Sequence, residues 1–429
     1  MREHGFTPAG APQQAEIMVL NTCTVTAAAD QDIRAAIRRV HRQNPACRIL
    51  VTGCYAQRAP REIAALPGVS AVIGNSHKPQ LAQIACQLAP ARPSPAAGRG
   101  EDAASAGQGQ FTGAGLAEIY VGDIFAHTEL AGASGFEAGA RTRPNLKVQD
   151  GCNNRCSFCI IPAVRGRSRS LALPEAVREV QALAGAGYRE VVISGINLGR
   201  WGRDLPGRQR FEHLVRGILE QTTVEKLRLS SVEPMDWSEE LIALAAGSAR
   251  IAKHAHVPMQ SGSDRVLRQM HRKYRPWHYA DRVRRIRAAM PEAAIGADVM
   301  VGFPAETDED FAETRLMVEQ LPFTYLHVFT YSARPGTPAA EMAQPAAAAV
   351  IKERNRVLRE LAAHKKLEFM RRFVGREISA LTLNLCENGS TEALTDNYLK
   401  LFLPGHYAPN QWLTARVESA TADGLIAAA

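Results

Sequence analysis

Between residues 190 and 332 the sequence alternates strand-like runs with helical patterns, and that alternation sets the fold. The runs are EVVISG (Glu190–Gly195), KLRLSSVEP (Lys226–Pro234), HAHVPMQSG (His254–Gly262), GADVMVGFP (Gly296–Pro304) and YLHVFTYS (Tyr325–Ser332). Apolar residues at helical spacing around Ala176–Ala186, Phe211–Glu220 and Trp277–Met290 lie between them. A strand returned by a helix pairs in parallel with the one before it. Five or six such units predict an open or complete βα barrel, whose chemistry sits at the C-terminal ends of the strands. A doubly wound sheet is the structural alternative.

The flanks read differently. IMVLNTCTV (Ile17–Val25), RILVTGCY (Arg48–Tyr55) and VSAVIG (Val69–Gly74) are strands, with helices around Ile33–Val40 and Arg61–Leu66, which predicts a Rossmann-like α/β domain over 1–88. Residues 89–115 are mostly Ala, Pro, Gly, Ser and Gln, a composition that buries too little apolar surface to offset the entropy of ordering. The linker and connecting segment span 89–140 and the barrel domain 141–372, closed by a basic helix over 348–373. From 373 to 429 short β segments separated by polar turns predict a small β-barrel. In a chain of 429 residues, 46% hydrophobic and 22% charged, these are folded domains rather than a disordered or collagen-like polymer. No apolar run approaches 18 residues and no leader pattern is present, so the expected setting is cytoplasmic, with no membrane partner. A formal charge of +8 suits a polyanionic partner.

Eight cysteines, at 23, 47, 54, 86, 152, 156, 159 and 386, are too few and too uneven for a disulfide scaffold. Cys152, Cys156 and Cys159 form C-x3-C-x2-C in CNNRCSFC, on a loop after the strand-like LKVQ. Three thiolates hold three irons of a 4Fe-4S cube and leave the fourth iron open for a ligand. Zinc is the alternative, disfavoured by the x3 spacing and by the absence of a clear fourth ligand nearby.

This loop resembles the CxxxCxΦC motif of the radical S-adenosylmethionine superfamily, with Phe158 at the aromatic position. DGCNNRCSFCIIPAVRGRSR, SGINLGRWG, LRLSSVEPMD, HVPMQSGSDRVLRQMHRKY, DVMVGFPAETDEDF and VFTYSARPGTPA occur in order. Together they resemble the methylthiotransferases, most closely the bacterial branch acting on N6-threonylcarbamoyladenosine at position 37 of tRNA. The resemblance implies a radical S-adenosylmethionine domain, a TRAM module at the C-terminus and two 4Fe-4S clusters, one of them auxiliary. It implies that one S-adenosylmethionine methylates a cluster-bound sulfur and another supplies the radical that abstracts hydrogen from C2 of the base, giving C2-SCH3. The tRNA anticodon stem-loop, an electron donor and a sulfur source are the implied partners.

The family uses three N-terminal cysteines for the auxiliary cluster. Cys23 in NTCTVT and Cys54 in VTGCYAQ match two of them, while the first, in a GCKVN-like segment after an opening strand, has no counterpart, and the sequence predicts a truncated start. Cys47, Cys86 and Cys386 are read as core or surface thiols. The resemblance raises Phe158, Gly195, Ser231, Glu233, Gln260 and Asp298 as S-adenosylmethionine or substrate contacts; Gly195 and Gly302 are equally readable as turn glycines. Arg165, Arg167 and Arg169, with Arg272, Lys273 and Arg275, form basic patches expected to face RNA phosphates. Tyr398, Lys400 and Arg416 are further RNA-contact readings. Two alternatives stand beside this one: the related isopentenyladenosine-37 enzyme, and a non-catalytic RNA-binding or cluster protein with an incomplete auxiliary site.

Overall fold

The computed structural model describes residues 1, 4–89, 117–128, 130, 142–342, 346–387 and 389–428. The expected linker from residue 90 to 115, most of the stretch 130–140 and the domain start at Arg141 lie outside the described residues. Contacts divide the chain into two compact units. One comprises Met1–His127, Cys159–Gly166 and Ser332–Arg334; the other comprises Thr128–Phe158, Arg167–Tyr331 and Pro335–Ala429.

In the first unit β1 (Ile17–Thr22), β2 (Arg48–Gly53), β3 (Val69–Gly74) and β4 (Glu118–Tyr120) pair in that order, all parallel. The helices are α1 (Ala27–Gln43), α2 (Cys54–Arg58), α3 (Pro60–Ala64), α4 (Leu81–Leu88) and, from the later segment, α5 (Ile161–Arg165). Alternation along β2 sends Ile49 and Val51 into one core with Ile37, Tyr55 and Ile63, and Leu50 into another with Ala71, Ile73 and Ile84. Both faces are thus covered, as parallel sheets require. Thr26 caps α1, its hydroxyl accepting the Ala29 N–H. β4 comes from residues assigned above to the connecting segment, because three residues carry no periodic signal.

In the second unit β5 (Asn145–Asp150), β6 (Arg169–Ser170), β7 (Glu190–Gly195) and β8 (Lys226–Leu229) form one sheet in the order β6-β5-β7-β8. β9 (His254–His256), β10 (Ala294–Val301) and β11 (Tyr325–Thr330) form another in the order β11-β10-β9. A parallel bridge between Leu227 and Ile251 and the bond from Val232 N–H to His256 O, at 3.1 Å, join them. Apart from the antiparallel β6, the pairs within both sheets are parallel, which gives a partial βα barrel of six parallel strands. Helices α6 (Leu173–Gly185), α7 (Phe211–Gln221), α8 (Glu239–Gly247), α9 (Asp264–Gln269), α10 (Pro276–Ala289) and α11 (Asp308–Gln320) accompany the strands. Val180, Leu214, Ile218 and Val283 from these helices are fully buried against Val191, Leu227 and Ile295 of the strands.

After α12 (Ala348–Arg371), five strands close a small barrel: β12 (Glu377–Glu387), β13 (Ser390–Thr395), β14 (Lys400–Pro404), β15 (Trp412–Ala420) and β16 (Leu425–Ala427), in the order β12-β13-β14-β16-β15. Phe369, Met370 and Phe373 pack into the same apolar cluster as Leu401, Leu403, Val417 and Leu425. The small barrel seats against the starting ends of the βα-barrel strands. Arg228 donates to Thr395 O and Asp396 O at 3.2 and 3.1 Å, Lys226 pairs with Asp396 at 3.0 Å, and Asn410 Nδ2 donates to Gly187 O at 2.8 Å. The opposite ends of those strands carry the site.

Candidate active site

β5 delivers the chain into the cysteine loop through Gly151, whose φ of 69° suits glycine. Fully buried Gln149 ties this turn down. Its Nε2 donates to Asp150 O and Gly151 O, both at 2.9 Å, and its Oε1 accepts the Asn197 N–H at 2.7 Å. Farther on, Ser157 Oγ donates to Gln269 O at 2.7 Å. Two sulfurs meet donors: Cys152 Sγ accepts Asn154 N–H at 3.4 Å and Asn197 Nδ2 at 3.5 Å, and Cys156 Sγ accepts Arg272 Nη1 at 3.4 Å. Donors aimed at sulfur stabilise a thiolate. Burial nevertheless pushes the Cys152 thiol up, more than the two asparagine bonds lower it. A metal that displaces the proton resolves that opposition, so the loop fits an iron-sulfur centre.

Around the loop, buried polar atoms lack protein partners. Asn197 Oδ1, Arg272 Nε and Gln260 Oε1 are all in this condition, and such groups call for a bound polar ligand. Gln260 also holds φ at 66°, a conformation that costs a non-glycine residue about 1–3 kcal/mol. Glu233 pairs with Arg272, which connects the loop after β8 to Cys156. These residues fit the amino, carboxylate and ribose groups of S-adenosylmethionine.

Two of the expected cofactor contacts also have a packing role. A Cβ on Gly195 would stand 3.0 Å from Gln149 Cβ and 3.2 Å from Gln149 O, so the missing side chain makes room for Gln149. Phe158 packs with Val266, Met270, Met300, Phe303 and Ala339, anchoring the loop through an apolar cluster. Ser231 and Asp298 face the barrel lumen. Ser231 Oγ lies 2.6 Å from His256 Nδ1, and Asp298 Oδ1 lies 3.3 Å from His256 Nε2 and 3.2 Å from His327 Nδ1. Burial pushes Asp298 up, but the two imidazoles outweigh it and hold the carboxyl well below the usual range. This group lines a cavity of about 640 Å³. His256 and His327 were not singled out in the sequence; each alternates with apolar neighbours along a strand, in HAHV and YLHVF, which was the available signal.

The first unit holds the other cysteines. Cys54 is buried at the start of α2, and its Sγ accepts Arg165 Nε at 3.2 Å and Asn75 Nδ2 at 3.5 Å. Ile160, which follows Cys159, packs with Val164 against Cys54. Cys23 is exposed, its Sγ meeting Val25 N–H at 3.5 Å. Both therefore present sulfur to donors, as thiolate ligands would. Cys47 is buried before β2, while Cys86 and Cys386 are exposed.

The basic patches divide by burial. Arg169 is 6% exposed and faces Asp150, and Arg272 is 8% exposed, so neither belongs to an RNA-facing surface. Each sits where its exposed neighbour, Arg167 or Lys273, does not. Arg165 is half-buried against Cys54, and Arg275 pairs with Asp264 at 3.4 Å. Trp277, overlooked in the sequence, is 59% exposed in the first turn of α10. Tyr398 stacks over Arg228 and beside His254, Lys400 pairs with Glu392 at 3.0 Å, and Arg416 is exposed.

Residues 146–318 match the Radical SAM superfamily, and residues 1–74 match the uncharacterized protein family UPF0004. Threonylcarbamoyladenosine tRNA methylthiotransferase MtaB of Aquifex aeolicus is 35% identical over 404 residues, covering 94% of this chain and 91% of its own length. The protein of the same name in Bacillus subtilis is 36% identical, covering 94% and 85%. The chain belongs to the radical S-adenosylmethionine tRNA methylthiotransferases. The tRNA-2-methylthio-N(6)-dimethylallyladenosine synthase of Saccharopolyspora erythraea is 35% identical to this methylthiotransferase, covering 89% of the chain and 73% of its own length. Among solved structures, the radical S-adenosylmethionine methyltransferase TsrM of Kitasatospora setae aligns with a TM-score of 0.52 at 16% identity, covering 76% of this chain and 66% of its own, a likeness of fold. The methylthiotransferase is thus an iron-sulfur transferase that uses S-adenosylmethionine, and among its described residues no helix is long and apolar enough to cross a membrane.

Proposed function

We propose that this methylthiotransferase converts N6-threonylcarbamoyladenosine at position 37 of tRNA to its 2-methylthio derivative. The carrying observation is that three relatives bearing the threonylcarbamoyladenosine name are 34–36% identical over 94% of the chain. Cys152, Cys156 and Cys159 hold the radical cluster, and Cys23 and Cys54 contribute to an auxiliary 4Fe-4S cluster. When bound, the clusters and S-adenosylmethionine supply the radical and the sulfur and methyl group, chemistry that amino-acid side chains lack.

The chain's own residues position and shield. Asn197 and Arg272 donate to Cys152 and Cys156 and stabilise their negative charge. Gln260 and Glu233 hold the cofactor's polar groups, and Arg165 and Asn75 serve Cys54 as Asn197 serves Cys152. Exposed Arg167 and Lys273 meet the phosphates of the anticodon stem-loop, and Trp277 offers a stacking face for an unpaired base. An electron donor and a sulfur source complete the partners, and the setting is the cytoplasm.

The test is anaerobic reconstitution with stem-loops carrying threonylcarbamoyladenosine, dimethylallyladenosine or plain adenosine at position 37. Methylthiolation of the first in preference to the second supports the assignment. Preference for the second moves the enzyme to the other branch. S-adenosylmethionine cleavage without product on any stem-loop contradicts the reaction.

A further inference from the structure

The lumen cavity demands an occupant of a particular chemistry. Its walls include Ser231, His256, Asp298 and His327 toward one side and Arg143 and Arg228 toward the other. Arg143 and Arg228 share one carboxylate, fully buried Glu190, at 3.0 and 2.7 Å. Two guanidiniums against one carboxylate leave that wall with an excess positive charge. His256 is 6% exposed, and its Nε2 stands 3.3 Å from Asp298 Oδ1 without the alignment of a full hydrogen bond, so this buried pair keeps polar capacity for a ligand. An empty or purely apolar filling would leave these groups unsatisfied.

Position matters as much as chemistry. Ser231 lies two residues before Glu233, roughly 7 Å of extended chain. Glu233 pairs with Arg272, which donates to Cys156 Sγ. The Ser231 end of the cavity is thus only two residues along the chain from Glu233, on the loop that serves Cys156 through Arg272, and the cavity continues toward the strand starts.

We infer that this cavity receives the N6 substituent of the substrate nucleoside, with His327, His256 and Ser231 reading its polar groups. The inference rests on the reading that the substrate is N6-threonylcarbamoyladenosine, and it names the residues that set that preference. In the purine, C2 and the carbon bearing N6 flank the same ring nitrogen, so a base held with C2 toward the cluster carries its N6 arm along the same edge. The ureido-threonine arm is about as long as two extended residues, roughly 7 Å, and bears donors, acceptors, a hydroxyl and a carboxylate. The imidazoles and Ser231 match the neutral groups, and Arg143, the more exposed of the two guanidiniums, complements the carboxylate. A dimethylallyl arm offers no partner to any of them. A site built to hydrogen-bond a group discriminates strongly against an analogue lacking it, because its own buried polar atoms are then left unpaired.

The experiment compares wild type, His327→Leu and His327→Gln. It reads the ratio of kcat/KM on threonylcarbamoyl and dimethylallyl stem-loops, and binding of free N6-threonylcarbamoyladenosine to the reconstituted protein by equilibrium dialysis. Iron content and melting temperature establish that each variant is folded. His327 is largely exposed to the cavity and solvent, so its replacement spares the core. His327→Leu is expected to lower the ratio and the nucleoside affinity by about tenfold or more, with His327→Gln intermediate. Folded variants with wild-type ratio and affinity overturn the inference even if wild type forms the product. A wild type that makes no product on the threonylcarbamoyl stem-loop, yet binds the nucleoside in a His327-dependent way, refutes the assigned reaction and upholds the cavity. A divalent ion retained by wild type and lost from His327→Leu also overturns it, by making His256, Asp298 and His327 a metal site.

Discussion

Replacing Gly53 by alanine strikes the first unit where its sheet hands the chain to Cys54. Gly53 has φ of 104° and pairs with Thr22 in the parallel register of β1 and β2. A Cβ there would lie 2.7 Å from Thr22 N, nearer still to Thr22 O, and 2.9 Å from Asn21 Oδ1. Two of these atoms are backbone in a paired strand, so no rotamer change relieves the contact. With ψ at −159° the residue sits in an extended, positive-φ region that is essentially glycine's alone and costs an L-residue about 1–3 kcal/mol, and forced overpacking adds about 1–3 kcal/mol. The sum, about 2–6 kcal/mol, is a large part of the about 5–15 kcal/mol that holds a typical domain folded. Thermal unfolding followed anaerobically by circular dichroism should show a transition lowered by roughly 10 °C or more. Because the displaced residue precedes Cys54, reconstitution should also leave the chain about four irons short, the content of one cluster. A Gly53→Ala protein that melts within about 2 °C of wild type with its full iron would refute both the strain argument and the placement of Cys54 at a cluster.

Arg272→Leu removes the donor to Cys156 and leaves Glu233 without its partner; S-adenosylmethionine cleavage should fall about tenfold or more, the radical-cluster potential should move negative, and Arg272→Lys should restore part of both. An unchanged potential would contradict the bond to sulfur. Trp277→Ala should weaken anticodon stem-loop binding by about 1–3 kcal/mol in fluorescence anisotropy, with little change in the salt dependence, and unchanged affinity would remove Trp277 from the RNA face. At Asp310 burial pushes the carboxyl up, but Arg265, Ser263 and Thr307 outweigh it and bring it down to about 2. Its folded value lies below an unfolded value of about 3.9, so its stabilisation is present above about pH 4 and lost as pH falls toward 2. Asp310→Asn should flatten the acid dependence of unfolding in that window, and identical acid profiles would count against the capping pair with Thr307.

The sequence was most legible where periodicity and function coincide. The run EVVISG is β7 from end to end, and β8, β10 and β11 begin at or within two residues of the expected runs, whereas β9 keeps only His254–His256 of the run expected to reach Gly262. Short or polar segments were not legible: β13 reads STEALT, β16 is three residues long, and β4 follows an Ala- and Gly-rich stretch. The cysteine loop was visible through spacing, but its supports were not, because Gln149, Asn197 and Arg272 reach it from three different elements. Charge was misread for a related reason. Arg167 and Arg169, or Arg272 and Lys273, are equivalent in composition, and only the path of the backbone buries one of each pair and exposes the other. His256, Asp298 and His327 come together because three consecutive parallel strands place them side by side, a relation that no single motif contains.

The reaction proposed for this methylthiotransferase removes the C2 hydrogen of N6-threonylcarbamoyladenosine and puts a methylthio group in its place. A stem-loop carrying that nucleoside with deuterium at C2 tests it directly, with mass spectrometry of both the RNA and the 5'-deoxyadenosine formed. Deuterium is expected in 5'-deoxyadenosine, together with an RNA mass changed by the gain of SCH3 and the loss of deuterium. Product RNA that keeps its deuterium, or 5'-deoxyadenosine without deuterium and no gain in RNA mass, would contradict it.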